Sequence, residues 1–132
     1  MGRVQIPPNC DLTLGLVCLD KSTPGRTVWA MRAHERFANP AGVTQGGFLA
    51  ALADSAMSTA AVTFLEGRRA SVANVEMKVS FLAPARTGST LTATATVVRG
   101  GRRVAFLETE IVDDAGTAVL RGSSTYVYGE AS

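Results

Sequence analysis

One segment constrains the fold more than any other. Residues from Phe48 to Leu65 are apolar or small almost throughout, and Asp54 is the only charged residue among them. The segment is long enough for a membrane span, but a carboxylate near the middle of a span is costly. A helix that is apolar on all sides also suits a protein core. We therefore expect a buried core helix, ended by Gly67, and no membrane partner.

Alternating apolar and polar residues follow this helix and predict strands. The predicted strands cover about residues 71–82, 89–99, 102–112 and 117–128. Tight-turn sequences join the last three, so these should pair as an antiparallel meander. In the first strand, the alternation places Val75 and Met77 on the face opposite Asn74.

The region before the helix predicts a second hairpin. Its strands are Leu16–Lys21 and Arg26–Phe37, joined by a Ser-Thr-Pro-Gly turn. Pro7 to Leu14 predicts a short N-terminal helix. Residues 1–132 therefore form one α+β domain, in which a long antiparallel sheet wraps one central helix. The outer face and edges of such a sheet need cover, which favours a partner chain.

The composition supports an assembly and excludes several classes. Charged residues make up only 18% of a 13.8 kDa chain, against about 25% in a typical domain, which favours a large buried interface. A net charge of +2 with no long basic run argues against nucleic acid. Cys10 and Cys18 are the only cysteines, too few for a disulfide framework or a metal cluster. The N-terminus has no signal-peptide pattern, so we expect a cytoplasmic protein.

The loop before the core helix carries a first candidate site. Gly46 and Gly47 stand where the helix begins, and Pro40 and Gly42 predict a tight loop before them. The N–H groups of a first helical turn have no partner within the helix and lie at the positive end of its dipole. They can bind an anion, or a carbonyl oxygen that is becoming one.

Asp54 is a second candidate. A carboxylate on a core helix must lie in a cleft, have a partner or be protonated, and no Lys or Arg stands at helical spacing from it. We interpret it as a functional acid; the alternative is a polar patch at a subunit interface. Gly46 lies eight residues away, about 12 Å along a helix, too far for one carbonyl group to touch both. A two-fold axis between antiparallel helices would bring Gly46 of one chain near Asp54 of another.

At these residues the sequence resembles the hotdog-fold thioesterases, in particular the phenylacetic-acid-degradation (PaaI-like) subgroup and its mammalian acyl-CoA thioesterase relatives. The family has an Asn, a Gly three residues later, a His-Gly-Gly, and an Ala-Leu-Ala-Asp on the central helix. Here the corresponding residues are Asn39, Gly42, Gln45-Gly46-Gly47 and Ala51-Leu52-Ala53-Asp54. The segment from Val75 to Ala85 is also similar, and the resemblance covers roughly residues 15–128.

The resemblance implies an acyl-CoA thioesterase that hydrolyses a small aromatic or medium-chain acyl-CoA. Asp54 would act as nucleophile or general base, and the N–H of Gly46 from the partner subunit would polarise the thioester carbonyl. Asn39 would orient the carbonyl or the attacking water. Residues implied to contact substrate or position water are Gly47, Asn74 and Ser58. The resemblance implies no metal, no cofactor beyond the CoA of the substrate, and a homodimer that pairs into a tetramer.

One position departs from the family, which leaves alternatives open. Gln45 stands where relatives carry His, and an amide can hydrogen-bond but cannot titrate near neutrality. His34, the only His, falls on the predicted strand before the loop. A hotdog dehydratase or hydratase and a non-catalytic acyl-CoA-binding protein are the alternatives. Candidates to bind CoA phosphates are the basic residues Arg68, Arg69, Lys78, Arg86, Arg99, Arg102, Arg103 and Arg121.

Overall fold

Six antiparallel strands form one sheet around a single long helix. The structure, a computed structural model, describes residues 7–66 and 71–129. Its elements are α1 (Asn9–Leu14), β1 (Val17–Thr23), β2 (Arg26–Arg32), a 3-10 turn (Glu35–Phe37), α2 (Gly46–Phe64), β3 (Val72–Phe81), β4 (Thr90–Gly100), β5 (Val104–Val112) and β6 (Ala118–Tyr128). The strand order is β1-β2-β4-β5-β6-β3. The predicted α+β fold and the β4-β5-β6 meander are confirmed.

Helix α2 is the core of the domain. It contacts every strand of the sheet, and its small side chains let the strands approach closely. By length and composition α2 could also cross a membrane, but its packing within the sheet is that of a core helix. The predicted end at Gly67 lies outside the described residues. The buried residues of α2 are Leu49, Leu52, Ala53, Ala56, Met57, Ala60 and Ala61.

Strand β3 contains a β-bulge that changes which side chains face the helix. Asn74 pairs with Tyr126, whereas Glu76 pairs with Thr125, so Val75 is an extra residue. A bulge of one residue reverses the alternation on either side of it. The predicted faces are therefore wrong for this end of the strand: Asn74 lies on the inner face with Met77, and Val75 is exposed.

The segment after β2 also differs from the prediction. The strand ends at Arg32 rather than at Phe37, and residues 35–37 form a 3-10 turn. This turn carries Phe37 into the core, where its ring stacks on Phe48 with centroids 4.6 Å apart. His34 is therefore not on a strand. Its Nδ1 accepts a hydrogen bond from the N–H of Arg36 at 2.9 Å and caps the turn.

Helix α1 confirms the predicted N-terminal helix, although it begins at Asn9. Gly15 ends it with a φ of +69°, a backbone conformation that glycine adopts without strain. Asp11 is buried and accepts a hydrogen bond from the Ser55 hydroxyl at 3.0 Å. This contact fixes α1 to the central helix, on the residue next to Asp54.

Candidate active site

The carboxyl group of Asp54 is held from one side by the sheet edge. Asn74 on β3 donates through Nδ2 to Asp54 Oδ1 at 3.0 Å, and the Tyr126 hydroxyl on β6 donates to the same oxygen at 2.5 Å. Asn74 and Tyr126 face each other in the β3–β6 register. Within the described chain, both donors use Oδ1, and no donor contacts Oδ2. Oδ1 is thus held by two donors, and Oδ2 has none among the described residues.

A fourth residue fixes the orientation of the Asn74 amide. The buried Ser124 hydroxyl lies 2.7 Å from Asn74 Oδ1 and 2.8 Å from the carbonyl oxygen of Glu76. A donor on the amide oxygen leaves the amide NH₂ group to face the carboxylate. Asn74 therefore points its donors at Asp54.

Tyr126 is a donor to Asp54 that the sequence did not suggest. Its side chain is 1% exposed. Burial raises the pKa of Tyr126 above its ordinary value, and the hydrogen bond to Asp54 and the charge of that carboxylate raise this pKa further. The phenol consequently stays protonated and able to donate. The sequence did contain one indication of this contact. Tyr126 falls on the buried face of the last strand, and a buried phenol usually has a polar partner.

A second feature lies at the N-terminus of α2. A cleft of about 530 Å³ contains Gly46, whose first-turn N–H has no acceptor within the helix. The Phe81 ring packs on Gly46 so closely that an added Cβ would lie 2.7 Å from Cζ. Only glycine fits this position without moving the ring. The other residues of the cleft are Asn39, Val43, Thr44, Leu49, Leu82, Ala83, Pro84, Ala85 and Phe81.

The predicted residues of the loop lie around this cleft. Asn39 Oδ1 accepts from the N–H groups of Ala41 at 2.9 Å and Val43 at 3.2 Å, so its side chain shapes the loop. Gln45 occupies the N-cap position with an exposed side chain that makes no capping hydrogen bond. Gly47 is exposed at the same helix end.

The structure thus brings together some predicted residues and separates others. Asp54 and Asn74 meet, and Asn39 and Gly46 line one cleft. The Ser58 hydroxyl donates to the carbonyl of Ser55 at 3.2 Å and not to the carboxyl group of Asp54. Gly46 and Asp54 are eight residues apart on α2, about 12 Å along the axis. Within one chain they are therefore too far apart for one carbonyl group to contact both. No metal-ligand cluster occurs among residues 7–66 and 71–129.

Comparison with known proteins agrees with this fold. Residues 41–120 match the model of the thioesterase superfamily, and the chain belongs to that family of thioester hydrolases. It is 30% identical to acyl-coenzyme A thioesterase 13 of Homo sapiens over 118 residues, which cover 89% of this chain and 83% of the relative.

Two solved structures show the same similarity. The Escherichia coli PaaI protein of the phenylacetic acid degradation operon matches with a TM-score of 0.87 and 25% identity, over 93% of this chain and 86% of that one. AziG of S. sahachiroi matches with a TM-score of 0.83 and 31% identity, over 95% and 97% of the two chains. The similarity therefore extends over almost the whole domain.

Proposed function

We propose that this protein hydrolyses the thioester bond of an acyl-CoA and releases a carboxylic acid and free CoA. The observation that carries the proposal is the Asp54 carboxyl group, with Oδ1 held by two donors and Oδ2 open. A rigidly held acid with one free oxygen suits attack on a carbonyl or activation of water. The human relative is named an acyl-coenzyme A thioesterase, and the PaaI resemblance favours a small aromatic or medium-chain acyl group.

In the proposed reaction, the open oxygen of Asp54 removes a proton from water as the water oxygen attacks the thioester carbon. The carbonyl oxygen becomes negative and accepts the N–H of Gly46 from the partner subunit. The C–S bond then breaks, and the CoA sulfur takes up a proton. Direct attack by Oδ2 is the other route: it breaks the C–S bond, releases CoA as the thiolate, which takes up a proton, and forms an acyl-aspartyl anhydride that water then hydrolyses to the free acid and Asp54.

The other predicted residues surround this chemistry. Asn74 and Tyr126 orient the acid, while Asn39 shapes the loop that presents Gly46. The exposed Gln45 amide lies beside the same N–H and can hydrogen-bond the carbonyl or the attacking water. Gly47, at the start of α2, and Ser58, one turn beyond the acid, are proposed to contact the substrate.

The proposed mechanism requires a homodimer, and two features of the β3 edge favour one. Strand β3 is an edge strand, and edge strands with free backbone groups favour pairing with another chain. Val75, Phe81 and Leu82 on or beside β3 are more than half exposed. A two-fold axis at this edge and perpendicular to α2 would let the two α2 helices run antiparallel and bring Gly46 of one chain to Asp54 of the other. Pairing of such dimers into a tetramer is part of the same proposal.

The test is thiol release from a panel of acyl-CoAs, with Asp54→Asn and a control. We expect Asp54→Asn to lower kcat by roughly 100-fold or more, since general-base catalysis contributes about 10²–10⁴-fold. Asp20→Asn, which removes an exposed acid on β1, should retain full activity. Equal turnover by Asp54→Asn and wild type would refute the assignment. Hydration without thiol release would indicate the dehydratase alternative, and binding without turnover the non-catalytic one.

Sedimentation tests the shared site. We expect a dimer or tetramer at micromolar concentration. A fully active monomer would contradict the proposed contribution of Gly46 from the partner subunit, because about 12 Å separate Gly46 from Asp54 within one chain.

A further inference from the structure

The cleft at the start of α2 contains a buried hydroxyl that the mechanism does not use. Thr44 lines this cleft and is only 4% exposed. Its hydroxyl has no hydrogen-bond partner among residues 7–66 and 71–129. Most buried polar side-chain atoms in proteins have such a partner, because a buried polar group without one costs free energy. The Thr44 hydroxyl is therefore an unused donor and acceptor in an otherwise largely apolar cleft.

Backbone contacts on both sides hold Thr44 in place. Its N–H donates to the carbonyl of Ala85 at 2.8 Å, and Thr44 also forms an isolated antiparallel bridge with Ala38. Threonine is branched at Cβ, which restricts rotation about its first side-chain torsion. The hydroxyl is thus held beside the cleft by a loop that is fixed at both edges.

The cleft has an exposed mouth and a buried floor. The Phe81 ring, which packs on Gly46, is more than half exposed. Leu49, Ala85 and Thr44 line the same cleft and are buried. Thr44 and Gly46 are two residues apart, so their Cα atoms lie at most about 7 Å from each other. A carbonyl oxygen bound by the N–H of Gly46 therefore has the Thr44 hydroxyl only a few bonds further into the cleft.

We infer that the Thr44 hydroxyl selects an aliphatic acyl group that carries a hydroxyl or keto oxygen near the thioester carbonyl, an inference that rests on the proposed acyl-CoA hydrolysis. An oxygen at the β-carbon of the chain, or one carbon beyond it, fits the short spacing between Gly46 and Thr44. The Thr44 hydroxyl donates to a keto oxygen, and it donates to or accepts from a hydroxyl. An acyl chain without this oxygen leaves Thr44 unpaired and is therefore the poorer substrate.

The test compares hexanoyl-CoA with β-hydroxyhexanoyl-CoA and β-ketohexanoyl-CoA, which differ from it only in one oxygen. We expect the wild type to have a kcat/KM about tenfold higher for the oxygenated substrates, as one hydrogen bond provides. Thr44→Val keeps the shape of the side chain without its hydroxyl, so this preference should disappear. Thr44→Ser retains the hydroxyl and should retain the preference.

Thermal unfolding adds a measurement that does not depend on turnover. Because the Thr44 hydroxyl has no partner within the described chain, the melting temperature of Thr44→Val should equal or exceed that of the wild type. Thr109→Val is the matched control: Thr109 is 5% exposed, and its hydroxyl donates to the carbonyl of Thr94 at 2.9 Å. This control should unfold at a lower temperature and keep the wild-type substrate preference.

Three results would overturn the inference. The first is a wild type that hydrolyses hexanoyl-CoA as well as its oxygenated analogues. The second is a Thr44→Val variant that loses activity equally toward all three substrates. The third is a lower melting temperature of Thr44→Val, which would show that the hydroxyl already has a partner within the protein. Failure of the wild type to hydrolyse any acyl-CoA would instead refute the proposed function.

Discussion

Replacement of Tyr126 by Phe removes one hydroxyl from the Asp54 network and changes little else. The ring is buried and would keep its packing, whereas the 2.5 Å donor to Asp54 Oδ1 would be lost. A hydrogen bond to a charged group contributes about 1.5–3 kcal/mol, and 1.4 kcal/mol corresponds to a factor of ten. Asn74 still donates to the same oxygen, and the acid is partly exposed to water, so the lower end of this range applies. We expect kcat to fall about tenfold with KM unchanged.

Tyr128→Phe is the matched control. Tyr128 lies two residues further along β6, and its hydroxyl donates to the carbonyl of Ala61 on the same helix at 2.7 Å. Each variant loses a hydroxyl that hydrogen-bonds to α2, so each should be less stable by about 1–2 kcal/mol. Only Tyr126→Phe should lose activity.

Steady-state thiol release and thermal unfolding of both variants provide the measurements. At about 1 kcal/mol, the melting temperature of a domain of this size should fall by roughly 3–5 °C in either variant. A Tyr126→Phe enzyme with kcat within twofold of wild type would refute the positioning role. An equal loss of kcat in Tyr128→Phe would show that strand stability, and not the contact to Asp54, controls activity.

Three further outcomes follow from the geometry. The fold raises the pKa of Tyr126 above its ordinary value of 10.0, so on raising the pH this phenol ionises in the unfolded chain before it ionises in the folded one. Its contribution to stability is therefore complete below pH 10 and decreases as the pH rises above 10. Urea unfolding should show that the free energy of unfolding falls more between pH 9 and pH 11 for the wild type than for Tyr126→Phe. Gly122→Ala places a Cβ 2.9 Å from the carbonyl oxygen of Lys78 and should cost about 1–3 kcal/mol in denaturant unfolding. In Gly46→Ala, the added Cβ meets only the exposed Phe81 ring beside the proposed carbonyl-binding N–H. Circular dichroism should therefore show an intact fold, and thiol release should fall.

The sequence predicted what depends on local pattern. The core helix with its single acid, the meander after it and the N-terminal turn of α2 all follow from residues close together in the chain. The distance between Gly46 and Asp54 could be calculated from the rise per residue of an α-helix alone. Those predictions agree with the structure because periodicity and helix geometry are local properties.

What the sequence did not predict depends on contacts between distant residues. Tyr126 is 72 positions from Asp54, and the two meet only because β6 closes beside β3. The end of β2 was misplaced because burial of Phe37, through its stacking on Phe48, overrides the local strand pattern. The family resemblance implied a site role for Asn74 in positioning water or contacting substrate, but its contact with Asp54 came only from the structure, and alternation alone put Asn74 on the wrong face.

The bulge at Val75 makes the site depend on chain length as well as on residue identity. Deletion of Val75 would keep every chemical group of the Asp54 network in the sequence. It would also leave Asn74 two positions from Met77 and therefore on the same face, whereas a regular strand of the present residues would turn Asn74 outward and leave Asp54 without that donor. The contact between Asn74 and Asp54 thus depends on β3 holding one residue more than β6 at this point, and a relative with one residue fewer here would keep the contact in a regular strand.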